Sequence, residues 1–138
     1  MLIETDVLLS LISPEDRNHS RTVKLIEDFA SQLKLSPYSL VELDLLVRSG
    51  KIVVKSVTAF YVALNELLKY KMIQVYAPKP EYHGEAYRLR KAYSLTYFDS
   101  LHASAAIVED EELVSYDRRY LELMELKYLH PEKLTKGY

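Results

Sequence analysis

Residues 96–117, T-Y-F-D-S-L-H-A-S-A-A-I-V-E-D-E-E-L-V-S-Y-D, constrain this chain more than any other stretch. Asp99 opens a segment in which Leu101, Ala105 and Val108 recur at i, i+4 and i+7, the spacing of one helix face. The small run Ala103-Ser104-Ala105-Ala106 keeps that helix slim enough to lie close to another backbone. An acidic break at Glu109–Glu112 separates it from the short apolar run Leu113-Val114, which reads as a buried strand ending in Ser115-Tyr116-Asp117. Helix, turn and strand thus carry one carboxylate at the helix start and another at the strand end. In an open α/β sheet, chemistry gathers outside the carboxyl ends of the strands.

Met1-Leu2-Ile3 reads as a first buried strand, followed by Glu4, Thr5 and Asp6 and then by Val7-Leu8-Leu9. A strand continuing through both acids projects Glu4 and Asp6 to the same side. Two carboxylates within an apolar opening are costly unless solvated, paired or bound to a metal. The structural alternative is that Asp6 caps a helix beginning at Val7.

Further along, helical periodicity spans about His19 to Leu33, Leu40 to Val47, Ser56 to Lys69 and Tyr82 to Tyr93. Gly50 is placed to stop the second of these. Short strands are expected at Leu33–Ser36, Met72–Tyr76 and Leu126–Leu129, with a last short helix at Arg118–Leu123. The order β-α-β-α-α-β-α-α-β-α-β predicts a parallel sheet of four to five strands between helical layers, in a single domain over residues 1–138. Glu42 lies among leucine and valine just after the second strand, and Asp44 belongs to the outward side. Arg88, Arg90 and Lys91 beside Tyr87 and Tyr93, and Arg118 after Asp117, read first as solvated charge. Cations interleaved with tyrosines also suit an RNA backbone and its bases.

Composition removes whole classes of function. The chain has no cysteine, so thiolate chemistry, thiolate metal sites and disulfides are excluded. Its net charge of −2 draws no nucleic acid globally, so such contact needs a local patch. Only three glycines occur, without a G-x-G-x-x-G or Walker A pattern, which argues against a glycine-rich phosphate cradle. No apolar run approaches the roughly 18 residues of a membrane span, and the opening lacks a signal-peptide pattern, so a cytoplasmic location is expected.

Four blocks in order carry a resemblance. Met1-Leu2-Ile3-Glu4-Thr5-Asp6-Val7-Leu8-Leu9 resembles the opening of PIN domains, a strand ending in D-T-N/D-V-L-L. Ser36–Leu43 resembles their second block with its Glu, here Glu42; Phe98–Ala106 their D-A-x-x-A-A-x-A block; and Leu113–Asp117 their L-L-T-N-D block. The chain size is similar to that of VapC toxins of VapBC toxin–antitoxin pairs. The resemblance implies an α/β/α PIN-like fold and a metal-dependent endoribonuclease, with catalytic Asp6, Glu42, Asp99 and Asp117. The same residues with Glu4 would hold Mg²⁺ or Mn²⁺, supported by Thr5 and Ser115. It also implies an RNA substrate, a cognate antitoxin and a homodimer, the last two through the apolar helices from Glu42 to Tyr70. His102, one turn after Asp99, reads as a packed residue.

The physical chemistry agrees: crowded carboxylates repel and take up protons unless a divalent cation neutralises them, and all-oxygen ligands suit hard cations. The chain departs from the pattern at Glu4, where the family has Asp, and at Tyr116, where Asn is common. The longer Glu4 favours an alternative in which the chain binds RNA or protein without cutting.

Overall fold

A computed structural model describes residues 1–137. Five short parallel strands form one sheet in the order β3-β2-β1-β4-β5: β1 (Leu2–Ile3), β2 (Lys34–Leu35), β3 (Gln74–Val75), β4 (Leu113–Val114) and β5 (Tyr128–Leu129). The register sets Leu2 against Lys34 and Leu113, and Ile3 against Leu35 and Val114. Side chains alternate across a strand, so neighbouring positions feed opposite layers. Leu2 and Leu113 enter a core with Tyr82, Leu89 and Leu101; Ile3, Leu35 and Val114 enter a core with Val7, Leu25 and Leu64. This is the expected three-layer α/β/α arrangement.

The helices are α1 (Thr5–Ile12), α2 (His19–Phe29), α3 (Pro37–Arg48), α4 (Val57–Tyr70), α5 (Pro80–Ala92), α6 (Tyr97–Val108) and α7 (Pro131–Leu134). The first core belongs mainly to α5 and α6, the second mainly to α1, α2 and α4. Helix α6 is the slim element its sequence predicts, with Ser100 through Ala106 all buried. Thr96 caps it by accepting a hydrogen bond from the Asp99 backbone N–H, so the helix starts at Tyr97 and Asp99 sits in its first turn. Gly50, at φ +77°, ends α3 in the left-handed conformation that glycine adopts without a Cβ penalty.

Several expectations are corrected. The first strand stops at Ile3, and Thr5 already begins α1, so Glu4 and Asp6 do not share a strand face. Asp6 is not a cap: Glu4 holds the N-cap position, with no side-chain capping bond, and Asp6 lies in the first turn. The segment after Phe29 tightens into a 3-10 turn over Ala30–Gln32, and Arg118–Glu122 is likewise 3-10 rather than α-helical. Helix α7 was not anticipated, because Pro131 starts it at the first helical position.

Candidate metal centre

Short strands ending at one level place Glu4, Ser36 and Ser115 at the carboxyl edge of the sheet, immediately after β1, β2 and β4. Ser115 joins the first two acids. Its Oγ lies 2.9 Å from Glu4 Oε1 and 2.8 Å from Asp6 Oδ2, and it accepts the Asp117 N–H at 3.0 Å. The Tyr116 N–H also donates to Asp6 Oδ2, at 2.9 Å. One hydroxyl proton cannot satisfy two carboxylate oxygens. Burial, and then repulsion from Asp6, pushes the Glu4 carboxyl well above its ordinary pKa, and burial raises Asp6 as well. Glu4 is therefore harder to ionise than an ordinary glutamate as long as no cation offsets its charge.

Glu42 projects from α3 into a different set of partners. Burial opposes its charge, but hydrogen bonds from His102 and Thr5 prevail and hold its pKa below the usual carboxylate range. Thr5 Oγ1 donates to Glu42 Oε1, and His102 Nε2 lies 2.9 Å from the same oxygen. His102 is wholly buried; its Nδ1 is 2.7 Å from Ser36 Oγ, and its Nε2 is 3.4 Å from Glu4 Oε2. With Glu42 ionised, Nε2 must carry the proton, so the hydroxyl of Ser36 fixes the ring from behind. One ligand atom each from Glu4, Glu42 and His102 lies within 4.8 Å of the others.

Asp99 and Asp117 form the outer part. Arg119 grips Asp117 and reaches Asp99 Oδ2 at 3.4 Å, while Tyr120 donates to Asp99 Oδ1 at 3.3 Å. The Arg119 guanidinium holds the Asp117 carboxyl below its ordinary pKa. Tyr120 is buried, and its hydroxyl is driven well above the ordinary value by burial and then by Glu4, Asp99, Asp6 and Asp117. A single phenol thus feels four of the acids that the sequence singles out. Arg119, Tyr120 and Ser36 were not among the sequence candidates. A buried tyrosine three residues after a strand-end acid gives no periodic signal, and Arg119 is one of two adjacent arginines.

The predicted RNA-binding cations lie elsewhere in detail. Arg88 is paired with Glu85 and with Glu125 at 2.7 Å, and Arg118 with Glu132 at 2.8 Å. Arg90 donates to Ser100 Oγ at 2.6 Å and lies over the Tyr97 ring, and Lys91 lies over Tyr87. Arg90 therefore ties α5 to the turn that carries Asp99.

Asp6 Oδ1 tests whether a cation fits. It is buried and accepts no hydrogen bond among the described residues. A buried carboxylate oxygen with no hydrogen-bond partner is costly, and here it stands beside a second carboxyl whose pKa burial raises. An oxygen-rich, over-acidic set of this kind matches a hard divalent cation.

Known structures share the whole architecture. VapBC2 from Rickettsia felis, solved bound to a DNA fragment from its promoter, superposes with a TM-score of 0.74 at 18% identity, over 94% of this chain and 96% of that one. A toxin–antitoxin complex from Klebsiella pneumoniae gives 0.68 at 14% identity, and VapBC-1 from nontypeable Haemophilus influenzae 0.69 at 14%, each with the same coverage of both chains. No protein of curated function matches the chain in sequence. The PIN domain profile matches residues 1–126, which takes in all four blocks and Glu4, Asp6, Glu42, Asp99 and Asp117, and the chain belongs to the PIN domain family.

Proposed function

We propose that this chain is a metal-dependent endoribonuclease, the toxin of a VapBC-type toxin–antitoxin pair. PIN domains are generally nucleases that require a divalent metal. The observation that carries the reading is the crowding of acids at the strand ends: Asp6 Oδ1 is buried without a geometric hydrogen-bond partner among the described residues, beside a Glu4 carboxyl whose pKa burial raises. Asp6, Glu42, Asp99 and Asp117 would hold Mg²⁺ or Mn²⁺, with Glu4 as a fifth oxygen donor. When bound, such an ion lowers the pKa of water and offsets charge developing on a phosphodiester. The chain's own residues prepare that site. Thr5 and His102 keep Glu42 ionised and oriented, and Ser115 aligns Glu4 with Asp6, while Arg119 pairs with Asp99 and Asp117 and would have to release them to a cation. The positive ends of α1 and α6 add a favourable field for anionic groups at this edge.

The antitoxin is a small protein whose amphipathic helix fits the apolar groove lined by Leu11, Ile12, Phe60, Leu64 and Leu67, between α1 and α4. Support comes from the relatives solved as VapBC or toxin–antitoxin complexes. Exposed Val57, Val62 and Tyr70 on α4 suit a homodimer contact. No helix among the described residues is long and apolar enough to cross a membrane, which agrees with action in the cytoplasm.

The test is cleavage of single-stranded RNA by purified protein with Mg²⁺ or Mn²⁺. A chelator and Asp99→Asn should each abolish it. RNA binding with no cleavage at any divalent concentration would instead favour the non-cutting module.

A further inference from the structure

A second site adjoins the acids. A pocket of about 510 Å³ opens between the C-terminal half of α3 and the start of α6, with Glu42 on one wall and Phe98 on the other. That volume falls within the roughly 300–1,000 Å³ of small-ligand sites. Leu45, nearly half exposed, continues the apolar wall, and Arg48 and Lys51 stand at the rim. Phe98 also stacks on His102, with ring centroids 6.4 Å apart, so the aromatic wall is fixed to the residue that orients Glu42.

Charge decides what such a pocket takes. The neighbouring cluster of Glu4, Asp6, Glu42, Asp99 and Asp117 repels a polyanion. Much of the surface cation supply is already paired: Lys34 with Glu111, Lys79 with Glu109, Arg88 with Glu85, Arg118 with Glu132 and Lys127 with Asp110. Arg48 and Lys51 make no side-chain hydrogen bond or ion pair among the described residues. Two free cations, one aromatic face and one apolar wall match a nucleotide: phosphate on the cations, base against the ring.

We infer that the pocket between Phe98 and Arg48/Lys51 seats one nucleotide of a single-stranded RNA, next to the bond presented to the acids. The inference rests on the ribonuclease reading and adds to it the residues that grip the strand. Arg48 and Lys51 are binding residues with no part in the bond-breaking step, so their loss raises KM and leaves kcat unchanged.

The experiment measures binding of a fluorescein-labelled single-stranded RNA in EDTA, across a salt series, for the full chain and its variants. Arg48→Gln with Lys51→Gln should weaken binding at least tenfold near 0.1 M salt and flatten the log–log salt slope by about 1.4, two single-strand phosphate contacts. Phe98→Leu should weaken binding about five- to a hundredfold with the slope unchanged, and Phe98→Tyr should retain it. Lys127→Gln, beyond the opposite edge of the sheet, should match the parent. A parent that binds and cleaves RNA while the double variant and Phe98→Leu bind equally well overturns the pocket assignment and leaves the nuclease reading standing. A double variant that keeps RNA affinity but loses the antitoxin overturns it too, making the pocket a protein-docking surface. A parent that neither binds nor cleaves RNA overturns both.

Discussion

Arg119 holds Asp117 side-on, with Nη2 2.6 Å and Nε 3.0 Å from Oδ2, and extends to within 3.4 Å of Asp99 Oδ2. The guanidinium therefore occupies the anionic edge that a divalent cation would share. Its side chain is two-thirds exposed, so the ion pair is worth at most about 1 kcal/mol of stability. Its larger consequence is competition for the two carboxylates.

Arg119→Gln should therefore leave thermal stability within about 1 kcal/mol of the parent and tighten Mn²⁺ binding several-fold, read by calorimetry. Unchanged or weaker Mn²⁺ binding would show that Arg119 supports the outer acids and does not compete with a cation for them.

Glu4 sets the pH behaviour of the cation-free protein. Its folded pKa is raised, chiefly by burial and then by Asp6, from an ordinary value of 4.5. Below that value both folded and unfolded chains hold the proton, and Glu4 carries no electrostatic penalty. As pH climbs from there through the raised folded value, the unfolded state gains by ionising first and stability falls. Glu4→Gln removes this penalty, so its melting temperature should exceed that of the parent in EDTA at pH 8 and approach it at pH 4. A pH-independent difference between the two would place the burden elsewhere.

Much of this arrangement was legible in the sequence, and the losses have physical causes. The β-α alternation, the α6 helix and β4 followed from periodicity and from short apolar runs. The sequence offers a helix from Val7 only as the alternative to a continued strand, because Val7-Leu8-Leu9 is an uninterrupted apolar run packed in one core; the helix starts two residues earlier, at Thr5, with Glu4 at the N-cap. Pro37, Pro80 and Pro131 each start a helix at its first turn, where a missing N–H costs nothing, and so pulled predicted boundaries inward. Glu4 and Asp6 reach common ground for a reason different from strand alternation: the turn from β1 into α1 brings both to Ser115. Arg119 and Tyr120 depend on the 3-10 turn after Asp117, whose local geometry no spacing announced.

His102 is wholly buried between Ser36 and Glu42, so its effect on function should pass through Glu42. His102→Gln should cost roughly 1–3 kcal/mol by leaving buried partners unsatisfied. Cleavage per folded molecule should drop by about 10–100-fold, the usual loss when a ligand's supporting partner is removed. The informative readout is the pH profile: loss of the His102 bond lets the Glu42 pKa rise, so the acidic limb of activity should shift to higher pH. A variant that is merely less stable, with an unshifted limb, would make His102 a packing residue only.

Asp6 and Glu4 compete for the first position in the metal set, and their surroundings differ. Asp6 has one oxygen fixed by the Tyr116 N–H and Ser115 and the other free of donors. Glu4 sits deeper, with a 7% exposed side chain between Ser115 and His102. Asp6 keeps an oxygen without a donor among the described residues, which leaves it to serve as a ligand, whereas Glu4 is the acid whose oxygen lies within 4.8 Å of ligand atoms of Glu42 and His102; we take Asp6 as the ligand to be tested first. Asp6→Asn should therefore lose nearly all RNA cleavage and most Mn²⁺ affinity, several kcal/mol of transition-state stabilisation. Glu4→Gln should lose a similar or somewhat smaller amount, of the order of 10–100-fold if it acts through Asp6. Rates and Mn²⁺ affinities of both variants, each confirmed as folded, decide the assignment. Wild-type affinity in Asp6→Asn together with none in Glu4→Gln would reverse it and make Glu4 the ligand. Full activity in both variants would reduce the turn after β1 to a structural element, and the nuclease reading would fall with it.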